Sequence, residues 1–165
     1  MWIRCLAAMA FALLAGAAGP AFAENAPTIL YAKAPWVVFR IMDPRGPRCD
    51  AQIKTDSGLF EVIAIPGFAT ITVEGNDWKF DEHEGSLTLK VGISAIILKG
   101  ALYRENFVAI GSNAKAVYLL IQMINRPGEL EVRADENKLL GTFPFEGMPK
   151  ALEVWKACAD GLPAS

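Results

Sequence analysis

The sequence is poor in the residues from which enzymes most often build a reactive site. It has one histidine, His83, and three cysteines among 165 residues. No two cysteines have the C-x-x-C spacing of a redox motif, and no glycine-rich loop precedes a predicted helix as a phosphate-binding loop does. These absences argue against thiol exchange, zinc chemistry and phosphate-loop enzymes in their common forms, and we predict no catalytic residue, metal ligand or cofactor.

The chain also lacks a strong charge of either sign. Lys and Arg together number 16 against 18 Asp and Glu, for a formal net charge of −2. So small an excess favours neither nucleic acid nor an anionic membrane surface as a partner. Beyond the N-terminus, the longest apolar run, around residues 114–124, has the length of one buried helix. We therefore expect no nucleic-acid partner and no membrane span in the mature chain.

The N-terminal residues 1–23 have the pattern of a cleaved signal peptide. Arg4 precedes an apolar run over residues 6–18, and Pro20 breaks the run before the small-x-small site that ends at Ala23. A retained anchor helix is the alternative, and the break so close to the cleavage motif disfavours it. The pattern predicts export to the periplasm or the medium.

The remaining chain suits one domain. Its length is sufficient for a core of its own, and its content of Trp and Phe excludes disorder for most of it. Residues 24–34 are predicted to be a loose N-terminal arm, and residues 35–165 a single globular domain.

Cys49 and Cys158 are the two cysteines that remain after export, because Cys5 leaves with the signal peptide. In an oxidising compartment such a pair has one possible intramolecular connectivity, and we predict a disulfide. Two buried free thiols, or a redox pair, are the alternatives. A disulfide that closes so long a loop stabilises the fold by about 4–5 kcal/mol in the chain-entropy model.

A helix is predicted near the C-terminus. Pro149 suits its first turn, and Gly161 followed by Pro163 ends it. Its apolar residues recur at helical period and form one stripe: Ala151, Leu152, Trp155, Cys158 and Ala159. The helix should therefore pack on the core with Cys158 in its last turn.

Most of the other segments alternate as strands do. The predicted strands are residues 36–42, 49–55, 59–65, 69–74, 78–80, 87–91, 93–99, 129–134 and 139–145. Residues 114–125 are either a helix or a buried strand, and their length favours a helix. The sum is an α+β fold: an antiparallel β-sheet or sandwich of about seven to nine strands with two late helices, the C-terminal one packed on the sheet and held by the disulfide.

The C-terminal segment resembles that of the invasion-associated locus B proteins, small exported proteins of α-proteobacteria. The shared features are a strand that ends in phenylalanine, Gly147, a helix with Ala151 and Leu152, and a tryptophan soon after the signal, Trp36. That family commonly has more cysteines than this chain. The resemblance implies an envelope protein without known catalytic residues.

His83 lies in an acidic segment with Asp81, Glu82 and Glu84. A metal site or a small hydrolytic site would need these side chains to converge, but neighbours in an extended turn point apart, and the calcium-loop spacing is absent. We expect a solvated turn. A hydrolytic or metal-dependent enzyme that uses this turn is the alternative function.

Arg40, Arg45 and Arg48 crowd a proline-containing loop next to Cys49. The arginine side chain presents a planar set of donors that suits carboxylates and phosphates, and a rigid loop loses little entropy on binding. Alternatively, these arginines only solvate the loop and pair with neighbouring aspartates. The interpretation that follows is an exported, non-catalytic binding or envelope-accessory protein. Its partner contact would use these arginines, and its partner would be an acidic protein or an anionic ligand in the cell envelope.

Overall fold

The computed structural model describes residues 26–44, 46–109, 114–123, 128–134 and 138–163. The predicted signal peptide and Arg45 lie outside these ranges. The described residues form ten strands and two helices: β1 Thr28–Lys33, β2 Trp36–Asp43, β3 Gly46–Thr55, β4 Gly58–Ile65, β5 Phe68–Gly75, β6 Phe80–Val91, β7 Ser94–Arg104, β8 Asn106–Ala109, α1 Ala114–Met123, β9 Glu129–Arg133, β10 Leu139–Pro144 and α2 Met148–Asp160.

All ten strands belong to one antiparallel sheet with the order β1-β2-β3-β4-β5-β8-β7-β6-β9-β10. The first five strands follow one another through tight turns. Gly58 shows why such a turn needs glycine: its φ is 135°, and a Cβ there would collide with the carbonyl oxygen of Glu74 on β5. The second half of the sheet departs from sequence order, because β8 inserts next to β5 and β9 pairs with β6.

The core lies on one face of this sheet, which curls without closing. Phe60 in β4 and Phe143 in β10 belong to opposite halves of the sheet, yet their ring centroids are 5.7 Å apart. Trp36 packs edge-on against Phe60 at 6.3 Å. The alternation predicted for the strands is confirmed, since every residue expected to face inward is buried: Ile71, Val73, Leu130, Val132, Phe143 and Phe145.

Helix α2 covers the core side of the first strands, as predicted. Ala151, Leu152 and Trp155 are buried, and the Trp155 indole donates a hydrogen bond of 3.0 Å to the carbonyl oxygen of Cys49. Cys49 and Cys158 form a disulfide with their Cα atoms 6.0 Å apart. The predicted bond between the last turn of the helix and an early strand is therefore present.

The strand count differs from the expected seven to nine. Strand β1 lies within residues 24–34, where the sequence indicated a loose arm, and β8 is only four residues long. Five of the six β1 residues are exposed, so the strand has no alternation of buried and exposed residues to reveal it. Residues Ala114–Met123 are helical rather than extended. None of the described helices has the length and apolarity needed to cross a membrane.

Candidate partner-binding site beside the β2–β3 hairpin

The arginine-rich segment forms a tight hairpin between β2 and β3. Asp43 pairs with Gly46, whose φ of 122° is accessible to glycine and strained for other residues. Arg40 pairs with Cys49, whose side chain faces the core, whereas Arg48 pairs with Ile41 on the next position. Because neighbouring positions of a strand face opposite sides, the register places Arg40 and Arg48 on opposite faces of the sheet. The two arginines therefore do not form one binding surface together.

Arg48 is held by a carboxylate two residues away. Its Nε lies 2.8 and 3.0 Å from the two carboxylate oxygens of Asp50, and a terminal nitrogen lies 2.6 Å from one of them. The Asp50 side chain is fully buried, while 27% of the Arg48 side chain is exposed. Both residues make further interactions. Arg48 thus pairs with a neighbouring aspartate, which is the alternative that the sequence left open for these arginines.

A groove of about 290 Å³ opens beside this ion pair. Most of its lining residues are apolar, and Arg48 and Thr70 are the two with polar side chains. The full lining is Gly46, Pro47, Arg48, Ile63, Ile65, Pro66, Phe68 and Thr70. This volume is near the lower end for small-molecule pockets, about 300 Å³. It is suited to one or two side chains of a partner.

Glu61 lies on the same outer face of the sheet, opposite Gln52 in the register. The Thr72 hydroxyl donates a 3.1 Å hydrogen bond to it. Burial, and next the negative charge of Asp50, raise the pKa of Glu61 above its ordinary value of 4.5, although the Thr72 bond and Arg48 act in the opposite direction. On this face, burial and repulsion by Asp50 therefore both disfavour the charged form of Glu61.

His83 does not lie in a turn. It belongs to β6, where it pairs with Leu102, and the exposed residues 81–84 extend that strand. The His83 Nδ1 lies 2.6 Å from the carbonyl oxygen of Asp81. Within the described ranges, no group of three or more His, Cys, Asp or Glu side chains is arranged to hold a metal ion.

Two other concavities were not visible in the sequence. An open recess of about 710 Å³ is lined by Glu74, Phe80, Asp81, Glu82, Tyr103, Arg104, Glu105 and Asn106. A smaller apolar groove of about 240 Å³ separates the two helices and is lined by Ala64, Ile65, Ala69, Val117, Tyr118, Ile121, Trp155, Lys156, Ala159 and Asp160. Neither brings together a nucleophile, a base and an orienting group.

The groove beside the Arg48–Asp50 pair is called the hairpin groove below. The sequence predicted one of its walls and missed the other. Arg48 and Pro47 belong to the segment that the arginines marked, whereas Ile63 and Ile65 come from β4 and Phe68 from β5. Alternation along β4 identifies Ile63 as an outward-facing residue, but only the register shows which strand it adjoins. Comparison of the chain with protein-family models, with curated proteins and with solved structures found no match, so the fold and this site alone indicate a function.

Proposed function

We propose that this chain is an exported, non-catalytic binding or envelope-accessory protein whose partner contact uses the β2–β3 hairpin. The groove beside Arg48 is the observation that supports the proposal most directly, because it combines an apolar floor with a fixed guanidinium. Its partner is an acidic protein or an anionic ligand of the cell envelope. An apolar group of that partner fills the groove, and its anionic group is attracted by Arg48 and by the positive charge of Arg45, three residues earlier in the sequence.

Rigidity of the site favours binding. The neighbour of Arg48, Cys49, is fully buried and joined to α2 by the disulfide, and Asp50 is buried beneath the guanidinium. A surface that is already ordered loses less conformational entropy when a partner docks.

Export is part of the same proposal. The signal-peptide pattern of residues 1–23 motivates it, and a disulfide is compatible with an oxidising compartment. A relationship to the invasion-associated locus B proteins, implied by the C-terminal resemblance, would be consistent with this class.

The test compares two matched double variants as baits in a pull-down from the envelope fraction of the source cell. Arg45→Ala with Ile65→Ala removes a cation of the hairpin sequence and an exposed isoleucine that lines the groove, and it retains the Arg48–Asp50 ion pair. Lys99→Ala with Ile97→Ala likewise removes a cation and an exposed isoleucine, here from β7, which β8 separates from the groove strand β5. We expect the first bait to lose the partner that the wild-type bait retains, and the second bait to keep it.

Equal recovery by both baits would overturn the assignment of the hairpin as the contact. His83→Ala provides the contrast with the alternative function. Loss of a hydrolytic activity or of a bound metal in that variant, with the hairpin variant unaffected, would favour an enzyme instead.

A further inference from the structure

The two edge strands of the sheet, β1 and β10, differ in how far other groups cover their free backbone N–H and C=O groups. On β10, whose one partner among the described strands is β9, the Trp78 indole donates a 3.2 Å hydrogen bond to the carbonyl oxygen of Leu140. The Ser57 hydroxyl accepts a 3.4 Å bond from the amide of Thr142. Pro144, two residues further along, has no N–H to offer. These groups satisfy or remove three of the hydrogen-bonding positions on the free side of β10. Such protection is how proteins prevent unwanted pairing at a sheet edge.

Strand β1, at the other edge, has no comparable cover among the described residues. Of the strands that the structure describes, β2 alone pairs with it, and five of its six residues are exposed. Ile29 and Leu30 are 64% and 41% exposed, although they sit in a strand of a folded sheet. In an antiparallel strand every second residue directs its N–H and C=O away from the existing partner, so β1 offers backbone donors and acceptors on both sides of a register irregularity between Ile29 and Tyr31.

Two cations flank this edge on one face of the sheet. Lys33 pairs with Trp36 at one end of β1, and Thr28, at the other end, pairs with Arg40. Trp36, Val38 and Arg40 alternate onto the same side of β2, so Lys33 and Arg40 share a face. Both are exposed, and the length of β1 separates them by about 17 Å.

We infer that the free edge of β1 is a strand-addition site for an extended, acidic segment of a partner protein. The segment pairs through its backbone with β1 and extends the sheet by one strand, its acidic side chains lie against Lys33 and Arg40, and apolar side chains contact Ile29 and Leu30. The inference rests on the proposed binding function and names the class of partner, but it uses the edge strand rather than the hairpin groove.

Charge distinguishes this occupant from a second copy of the chain. If two β1 strands paired about a two-fold axis, each Lys33 would lie opposite the partner copy's Thr28, next to the strand that carries its Arg40. Lys33 and the partner copy's Arg40 would then be two strand spacings apart. That distance is within about one Debye length, so the like charges would repel. An acidic strand meets the same two cations favourably.

The first experiment uses synthetic seven-residue peptides and protein purified from cells that express the full-length chain. One peptide alternates valine and threonine and has glutamate at both ends; the comparison peptide has lysine at both ends. We expect the glutamate peptide to bind at least about tenfold more tightly, as measured by fluorescence anisotropy at low ionic strength.

N-methylation separates backbone pairing from attraction of charges alone. One glutamate peptide carries N-methyl groups on its second, fourth and sixth residues, and another on its third and fifth. Only one of these two sets faces β1, so one peptide should lose binding and the other should keep it. Retention by both peptides, or loss by both, would overturn strand addition.

Protein variants test the two cations. Lys33→Glu with Arg40→Glu should weaken binding of the glutamate peptide about tenfold and strengthen binding of the lysine peptide. Lys79→Glu with Lys99→Glu makes the same change of charge at exposed positions outside β1 and β2 and should change the binding of neither peptide.

A dimer of the wild-type chain that the Lys33 and Arg40 changes stabilise or dissociate would assign the edge to a second copy instead. Failure of these peptide assays with an intact hairpin-dependent pull-down would overturn strand addition alone, and the converse result would overturn only the hairpin contact.

Discussion

At the scale of single residues, two arginine–carboxylate pairs on the outer face of the sheet have the same spacing but different surroundings. Arg48 holds Asp50, and Arg133 holds Glu131 through its Nε and a terminal nitrogen at 2.8 and 2.7 Å. The Asp50 side chain is fully buried, whereas 33% of the Glu131 side chain is exposed. Water can replace the arginine at Glu131 but not at Asp50, so the same substitution should have unequal costs.

Arg48→Met is expected to lower the free energy of unfolding by about 2–3 kcal/mol, because it removes charged hydrogen bonds from a buried carboxylate while it keeps the apolar stem. Arg133→Met is the matched control and should cost clearly less. Urea denaturation of both variants measures the difference. Equal losses would show that burial of Asp50 does not determine the strength of its pairing.

Glu61 gives a pH-dependent prediction. Its pKa is raised in the folded protein by burial and by Asp50, so its contribution to stability is complete below 4.5 and is lost as the pH rises through the raised folded pKa. Glu61→Gln can still accept the Thr72 hydrogen bond and removes this loss. We expect the variant to gain thermal stability over the wild type as the pH rises from 4 to neutrality, as followed by calorimetry.

Glu131→Gln should show the opposite sign. Its hydrogen bond from Arg133 lowers the pKa of Glu131, so the carboxylate stabilises the fold above its ordinary value of 4.5, and that stability is lost as the pH falls through the lowered pKa. The variant should melt below the wild type at neutral pH and approach it in acid. Parallel curves for both glutamine variants would contradict the assigned directions.

At the scale of elements, α2 and the disulfide were predictable because their signals are local. Pro149, Gly161 and the apolar stripe at helical period mark the helix, and a single cysteine pair leaves one connectivity. Strand β1 and the short β8 carry no such signal. An edge strand exposed on both faces has no hydrophobic period, and only its pairing with β2 reveals it.

The disulfide joins elements that are 109 residues apart in sequence. Closing that loop in the unfolded chain is worth about 4–5 kcal/mol, so Cys158→Ser should lower the melting temperature by about 10 °C or more. Protein made in an oxidising compartment should release no thiol that reacts with Ellman's reagent after denaturation.

Cys49→Ser should give a similar loss, and the double variant no more than either single variant, because each change opens the same bond. Two reactive thiols per wild-type chain, or additive losses in the double variant, would contradict a native disulfide.

At the scale of the whole molecule, the sequence could not reveal how the sheet curls. Alternation identified the inward residues, but the insertion of β8 beside β5 and the pairing of β9 with β6 depend on contacts between distant segments. The groove beside Arg48 has the same origin, since its walls come from β3, β4 and β5, which only the register places side by side. Side chains add hydrogen bonds at positions that no strand pairs. The Trp78 indole donates one to the carbonyl oxygen of Leu140, 62 residues later in the sequence.

Trp78→Phe should therefore loosen one edge of the sheet. The change removes a hydrogen bond of about 1 kcal/mol and leaves the Leu140 carbonyl without its donor, so amides of β10 should exchange about fivefold to tenfold faster with deuterium. Trp36→Phe is the control, because the Trp36 indole nitrogen is buried without a hydrogen-bond partner in the described part of the chain. Both changes remove a buried indole, but only the first removes a contact between the sheet edge and a distant segment. Equal acceleration in β10 for both variants would mean that loss of aromatic volume, not the Trp78 bond, loosens the edge.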